Sequence, residues 1–176
     1  MGVDKDYIQS LNKTDFLKIF SSVYEHSAWV AEQLWPQCQQ LTNSDVPLAE
    51  AFQQAMAAIV DASHDEQKLS LLRAHPDLAG KAALAGELTA ASTNEQASAG
   101  LDSCTEQELA AFHTLNGRYK SQFGFPFIMA VKGANKHMIL NGFNTRLDNS
   151  YAEEFNTALR EVHKIARFRL QDIFAA

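Results

Sequence analysis

Phe125-Pro126-Phe127-Ile128-Met129-Ala130-Val131 is the one run of this chain that reads as a β-strand, and it stands alone. A strand satisfies its backbone N–H and C=O groups by pairing with another strand. No second strand is on offer, and Pro126 removes one donor besides. The run is therefore expected as a buried extended connector. Its backbone groups need partners from side chains or from a bound ligand. Helical signals dominate the rest, so the expected fold class is all-α.

The helix signals are dense. Asp15 to Phe20 reads as a short helix after Thr14, and Ser27 can cap a second that Pro36 stops. Pro47 opens a third, with Leu48, Phe52, Ala55 and Ile59 at helical spacing. Ser63-x-x-Glu66, Ser92-x-x-Glu95, Thr105-x-x-Glu108 and Ser150-x-x-Glu153 have the spacing of capping boxes. The first starts a helix carrying Leu69 and Leu72 and ending at His75; Leu78 to Ala85 reads as a short helix stopped near Gly86. The Thr105 box starts a long helix through Leu109, Phe112, Leu115 and Tyr119 to Phe123, with Gly124 placed to end it. Asn135 to Leu147 reads as helix, and the last helix runs from Ser150 to about Phe174. No repeat, low-complexity segment or linker divides the chain. A single domain over residues 1–176, a bundle of about eight helices, is the expected architecture.

The charge excludes several partners. At a net charge of −6 with no Lys/Arg run, neither nucleic acid nor an anionic membrane surface is expected. No apolar stretch approaches the roughly 20 residues of a membrane span. The N-terminal Met1-Gly2-Val3-Asp4-Lys5-Asp6 is too polar for a signal peptide, so the expected location is cytoplasmic. Cys38 and Cys104 match no metal spacing and read as reduced thiols.

Three features suggest an active site for a small anion. In His75-Pro76-Asp77-Leu78-Ala79-Gly80-Lys81 an imidazole precedes a proline, which pushes it out of helical geometry at a rigid break. Its charge changes near neutral pH. A helix-ending histidine can equally serve the negative end of the helix dipole, or sit satisfied in the core. Ser92, Glu95 and Gln96 gather a hydroxyl, a carboxylate and an amide near a helix start, an electropositive place. In isolation, capping explains Ser92 and Glu95 better. In the last helix Phe155, Leu159, Val162, Ala166 and Ile173 form an apolar stripe, and Arg169 fills its missing step. Arg160, Lys164, Arg167 and Gln171 fall opposite. A buried guanidinium forms bidentate bonds to carboxylates and planar amides. A structural salt bridge or a snorkelling stem accounts for Arg169 somewhat better from periodicity alone. His26, His64, His113, His137 and His163 lack a rigid context and read as surface or packing residues. No HExxH pair, Ser/His/Asp signature or phosphate loop is present.

These blocks resemble a known family. HPDLAGK at 75–81, Leu88-Thr89, Ser92 with Glu95-Gln96, and Ala99-Gly100-Leu101 are similar to the signature of OHCU decarboxylase. Its substrate is 2-oxo-4-hydroxy-4-carboxy-5-ureidoimidazoline (OHCU). The similarity continues through Tyr24-Glu25-His26-Ser27, Trp29 to Glu32, Leu115-Asn116, Tyr119, Phe123 to Ile128, and Glu161-Val162 to Leu170. It covers nearly the whole chain. The resemblance implies an all-α homodimeric enzyme without metal or organic cofactor, forming (S)-allantoin in the last step from urate. It implies His75 as catalytic acid/base beside Pro76, with Glu95 also catalytic. Ser92, Gln96 and Arg169 would hold substrate, and Phe127 and Ile128 would contact its ring through the backbone. The substrate decays unassisted to racemic allantoin, so such an enzyme must speed CO₂ loss and direct one proton.

Two departures bear on setting. The chain ends Ile173-Phe174-Ala175-Ala176 where plant and animal relatives commonly carry a peroxisomal tripeptide, which favours a bacterial cytoplasmic enzyme. Its 176 residues leave no room for the hydroxyisourate hydrolase domain fused to some relatives. Two rivals remain beside this reading: a non-catalytic helical module that binds a small anion, and a metal-dependent hydrolase using His75, Asp77 and Glu95.

Overall fold

A computed structural model describes residues 2–175, apart from the side chain of Ala82. The chain is all-α, with no strand among the described residues. Among the described residues eleven α-helices follow in order: α1 Lys5–Ser10, α2 Lys13–Phe20, α3 Trp29–Leu34, α4 Cys38–Thr42, α5 Leu48–Asp61, α6 Asp65–Arg73, α7 Lys81–Ala85, α8 Ala90–Ser98, α9 Glu106–Phe123, α10 Lys136–Arg146 and α11 Tyr151–Ala175. Two 3₁₀ turns, Trp35–Gln37 and Leu101–Ser103, complete them.

Several helix ends sit where their chemistry demands. Thr105 and Glu108 close a reciprocal capping box on α9, and Gly124 ends that helix in the left-handed region at φ 76. The Ser150 amide donates to Glu153, whose own amide donates to the Ser150 hydroxyl, opening α11 the same way. Pro47 is the N-cap of α5. Asn135 caps α10 by accepting from the Met138 amide.

Other ends differ from expectation. Asn12 caps α2, so that helix starts two residues early. Ser27 does not cap α3; Ala28 holds that place, and the Ser27 hydroxyl donates to the Glu25 carbonyl. α3 ends at Leu34, as Pro36 demands, but the chain runs on through a 3₁₀ turn containing Pro36 into α4. This is tolerated because a proline in a first turn forfeits only an orphan N–H. His64, not Ser63, precedes α6, and the Ser63 hydroxyl donates backward to Val60. The helix expected over 78–85 shrinks to α7, because residues 76–80 form a turn.

The chain divides into two compact units, residues 1–74 with 163–176, and residues 75–162. In the first, Phe16, Phe20 and Phe52 are fully buried. The rings of Phe20 and Phe52 lie 5.1 Å apart, and Phe174 from the end of α11 meets Phe52 edge-on at 5.2 Å. In the second, Phe112, Tyr119, Phe125, Phe127 and Phe143 are fully buried. Phe127 stacks on Phe143 at 3.8 Å and meets Tyr119 edge-on at 5.3 Å. Such pairs add about 0.5–1.5 kcal/mol each beyond the area they bury. The run from Phe125 to Val131 forms no strand; Phe125 to Ile128 and Val131 are buried in this second core, and Met129 and Ala130 are half-buried.

Candidate active site

The HPDLAGK segment forms a turn braced from two helices of its unit. His75 follows the C-cap of α6 and is only 8% exposed. Ala79 has φ 50, a left-handed conformation that a residue with a Cβ adopts only when its surroundings hold it there. Gln96 of α8 supplies that hold. Its Oε1 accepts from the Ala79 amide at 3.0 Å, and its Nε2 donates to the Asp77 carbonyl at 3.3 Å. From α9, Asn116 Nδ2 donates to the Leu78 carbonyl at 2.9 Å, and Lys120 pairs with Asp77 at 2.6 Å.

Gly80 closes the turn against Asp77. A Cβ added to Gly80 would lie 2.5 Å from the Asp77 Cβ, too close for either backbone to stay in place. Gly80→Ala is therefore expected to cost on the order of 1–3 kcal/mol, the usual scale of an overpacked site. It should also lower turnover by shifting His75. A variant matching the parent in both urea midpoint and turnover would show that the turn yields freely.

On α8, Ser92 and Gln96 are buried and Glu95 is half-buried. The capping role foreseen for Ser92 and Glu95 does not hold. Thr89 is the N-cap, in extended conformation, and its hydroxyl accepts from the Ser92 amide. Ser92 thus lies inside the first turn. It is buried beside Gln96 on the same face of the helix.

The connector is held at two backbone atoms. Arg146 Nη1 donates to the Ile128 carbonyl at 2.6 Å, and the Ala130 amide donates to Glu161 at 2.8 Å. Phe127 lies between its stacking partner Phe143 and the Arg146 guanidinium, 4.3 Å from the ring centre. Pro126, Phe127 and Ile128 are all buried.

Arg169 belongs to the other unit. It is 7% exposed, as the interrupted stripe requires, while Arg160, Lys164, Arg167 and Gln171 are exposed. Its Nη2 donates to Glu25 at 2.9 Å and its Nη1 to the Ser22 carbonyl at 3.1 Å. The structural salt bridge foreseen as one explanation is thus formed, and Glu25 is itself buried. Tyr24, beside Glu25, meets His163 Nδ1 at 2.8 Å, and His163 Nε2 meets Asp61 at 3.0 Å. Burial, with a smaller contribution from the Asp61 charge, pushes the Tyr24 hydroxyl well above the usual phenol range, so it stays protonated. His163, foreseen as a surface or packing residue, bridges these two groups.

Seven of the eight expected site residues, His75, Pro76, Ser92, Glu95, Gln96, Phe127 and Ile128, thus fall in one unit, and Arg169 in the other. Sequence reasoning missed the bracing groups Asn116, Arg146, Glu154 and Glu25. Asn116 had a signal: it falls at the spacing of Phe112, Tyr119 and Phe123, the buried face of α9.

Thiol chemistry finds no activated cysteine. Burial pushes the Cys38 thiol up to about 12 and raises that of half-buried Cys104. Thiolate is the reactive form. In native protein at pH 8, iodoacetamide should label Cys38 far more slowly than Cys104, read by mass spectrometry. Equal rates would contradict that burial. Among the described residues, no three His, Cys, Asp or Glu side chains gather as a metal-holding group, and His75, Asp77 and Glu95 do not form one. Among those residues no helix is long and apolar enough to cross a membrane.

Comparison with known proteins bears on the family and the fold. The family model of OHCU decarboxylase matches residues 9–171. A 2-oxo-4-hydroxy-4-carboxy-5-ureidoimidazoline decarboxylase of Haloferax volcanii is 41% identical over 174 residues, 96% of each chain. Its counterpart in Halalkalicoccus jeotgali is 41% identical over 169 residues, covering 94% of this chain and 90% of that one. The crystal structure of an (S)-allantoin synthase superposes with a TM-score of 0.76 at 35% identity, over 98% of this chain and 54% of that longer one. A match of this breadth has one conclusion: the chain belongs to the OHCU decarboxylase family.

Proposed function

We propose that this protein decarboxylates OHCU to (S)-allantoin in urate degradation, as a carbon–carbon lyase working without a cofactor. The observation that carries this is the family match across residues 9–171, which includes every residue of the HPDLAGK turn and of α8. The small-molecule substrate fits an enzyme of this kind. A single domain, a homodimer and a cytoplasmic location complete the reading.

The reaction breaks the bond between a ring carbon and its carboxylate. CO₂ leaves without the bonding pair, which stays on that carbon and spreads into neighbouring C=N or C=O groups. One proton then closes the stereocentre. In this reading His75 is the general acid/base that delivers the proton to one face. Its place at a rigid X-Pro break supports that role, because an aimed donor must not swing. Glu95 shares the catalytic work and, with Ser92 and Gln96, binds the ureido and ring N–H groups. Pro76, and Phe127 and Ile128 through their backbone, hold the ring. Arg169 binds an anionic or carbonyl part of the substrate, and donors so placed stabilise charge that develops as CO₂ leaves.

The deciding experiment is optical. The labile intermediate is generated from urate, the protein is added, and circular dichroism is followed. Optically active allantoin, formed faster than in the blank, is expected. Racemic product at the blank rate would instead identify a non-catalytic anion-binding module. Undiminished activity in chelator separates the metal-dependent rival. Arg169→Lys keeps a charge opposite Glu25 but loses the planar fork. Its KM should rise about tenfold, the loss of roughly one charge-assisted hydrogen bond. An unchanged KM would remove Arg169 from substrate binding.

A further inference from the structure

We infer that Arg146, oriented by Glu154 and Tyr119, is a positioning residue that sets the backbone of the connector against the substrate. The inference rests on the reading that Phe127 and Ile128 contact the ring.

Glu154 is fully buried and the Arg146 side chain is 12% exposed. The guanidinium presents Nε and Nη2 to this carboxylate, at 3.0 and 2.9 Å from Oε2. Asn149 Nδ2 donates to Oε1 at 2.9 Å, and the Tyr119 hydroxyl donates to Oε2. Burial first, and the Glu154 contact second, raise the Tyr119 hydroxyl above the usual phenol range, so it remains a donor at every working pH. The carboxylate is therefore fixed by three side chains, and the planar fork on it has one orientation left.

That orientation spends the remaining contacts on the connector. Nη1 reaches the Ile128 carbonyl at 2.6 Å, and the face of the guanidinium covers Phe127. The described peptide bonds are all trans. In a planar trans peptide the C=O and N–H point in opposite directions. Fixing the Ile128 carbonyl on Arg146 thus aims the Met129 N–H away from it. The Ala130 amide on Glu161 likewise aims the Met129 carbonyl away from Glu161. Both peptide planes flanking Met129 are set by charged side chains of α10 and α11.

A buried ion pair is a poor device for stability alone, since apolar groups of equal volume often do as well. It is a good device for fixing direction. A lysine cannot replace this arginine, because one ammonium cannot grip a carboxylate with two donors, reach a carbonyl and lie flat on a ring.

The test uses the full-length protein, with (S)-allantoin as the probe and OHCU as substrate. In the parent, titrated allantoin should shift the ¹⁵N-amide resonances of Phe127, Ile128 and Met129. In Arg146→Lys the same shifts should need about tenfold more allantoin. KM should rise by a similar factor, with a smaller fall in kcat and an unmoved pH profile. Tyr119→Phe, which removes only the hydroxyl donor, should raise KM two- to threefold, and it decides the matter if Arg146→Lys does not fold. A residue that merely stabilises would lower the melting temperature and leave KM alone, and that result in folded variants overturns the inference. If allantoin moves none of these amides in the parent, the connector is not a substrate contact, and the inference falls with that reading while the decarboxylase assignment stands on its optical test.

Discussion

His75→Asn is expected to lower allantoin formation by about 10²–10⁴-fold, the usual contribution of a general acid/base. Asparagine keeps a polar side chain of similar reach in a site that is 8% exposed, so the turn should survive. Gln96, Asn116 and Lys120 grip that turn at Asp77, Leu78 and Ala79. Binding of (S)-allantoin, followed by calorimetry, should therefore persist while turnover collapses. The residual product should lose optical purity, because the uncatalysed route has no preferred face. A variant with parental turnover would remove this imidazole from the chemistry. Loss of allantoin binding alongside turnover would make it a binding group instead.

Arg146→Ala is expected to destabilise the protein by about 3–5 kcal/mol, because it strands a buried carboxylate. Glu154 is fully buried and loses its strongest partner. Asn149 and Tyr119 still donate to it, which argues for the lower half of that range. For a chain of this size the melting temperature should fall by roughly 6–20 °C. Arg146→Ala, Glu154→Leu together should recover much of the loss, since no charge is then left in the core. A single variant melting within a degree or two of the parent would mean the pair is wetter than its burial implies.

Much of this was legible in the sequence because the signals were local. A Thr with Glu three residues on, and a Gly nineteen residues after that Thr, fix the ends of α9 with no outside help. The lone β-prone run became a connector and not a strand, because no strand among the described residues could pair with it. Arg169 was legible as an interruption in a period. Other points were not local. Glu25 lies 144 positions from Arg169, and no spacing links them. Glu154 sits one step past a capping box, where a carboxylate normally faces solvent, so its burial had no signal. The Ser92 box failed because Thr89 offered an equally good cap one turn earlier. The stripe foreseen on α5 turned by one residue: Ala51, Met56 and Val60 are buried with Phe52, while Leu48, Ala55 and Ile59 are only partly so. On a helix rich in alanine, apolar spacing fits two neighbouring faces almost equally. α1 and α4, at six and five residues, are too short to show a period.

Helix α11 carries Arg169 and Phe174 on one uninterrupted rod, and each grips a different part of the first unit. Deleting or adding one residue between His163 and Phe168 would rotate everything downstream by about 100°. Glu25 would lose its guanidinium and Phe52 its ring in the same stroke. This stretch should therefore accept exchanges of side chains but no change in length, so that gaps among natural relatives belong in the loops and not here.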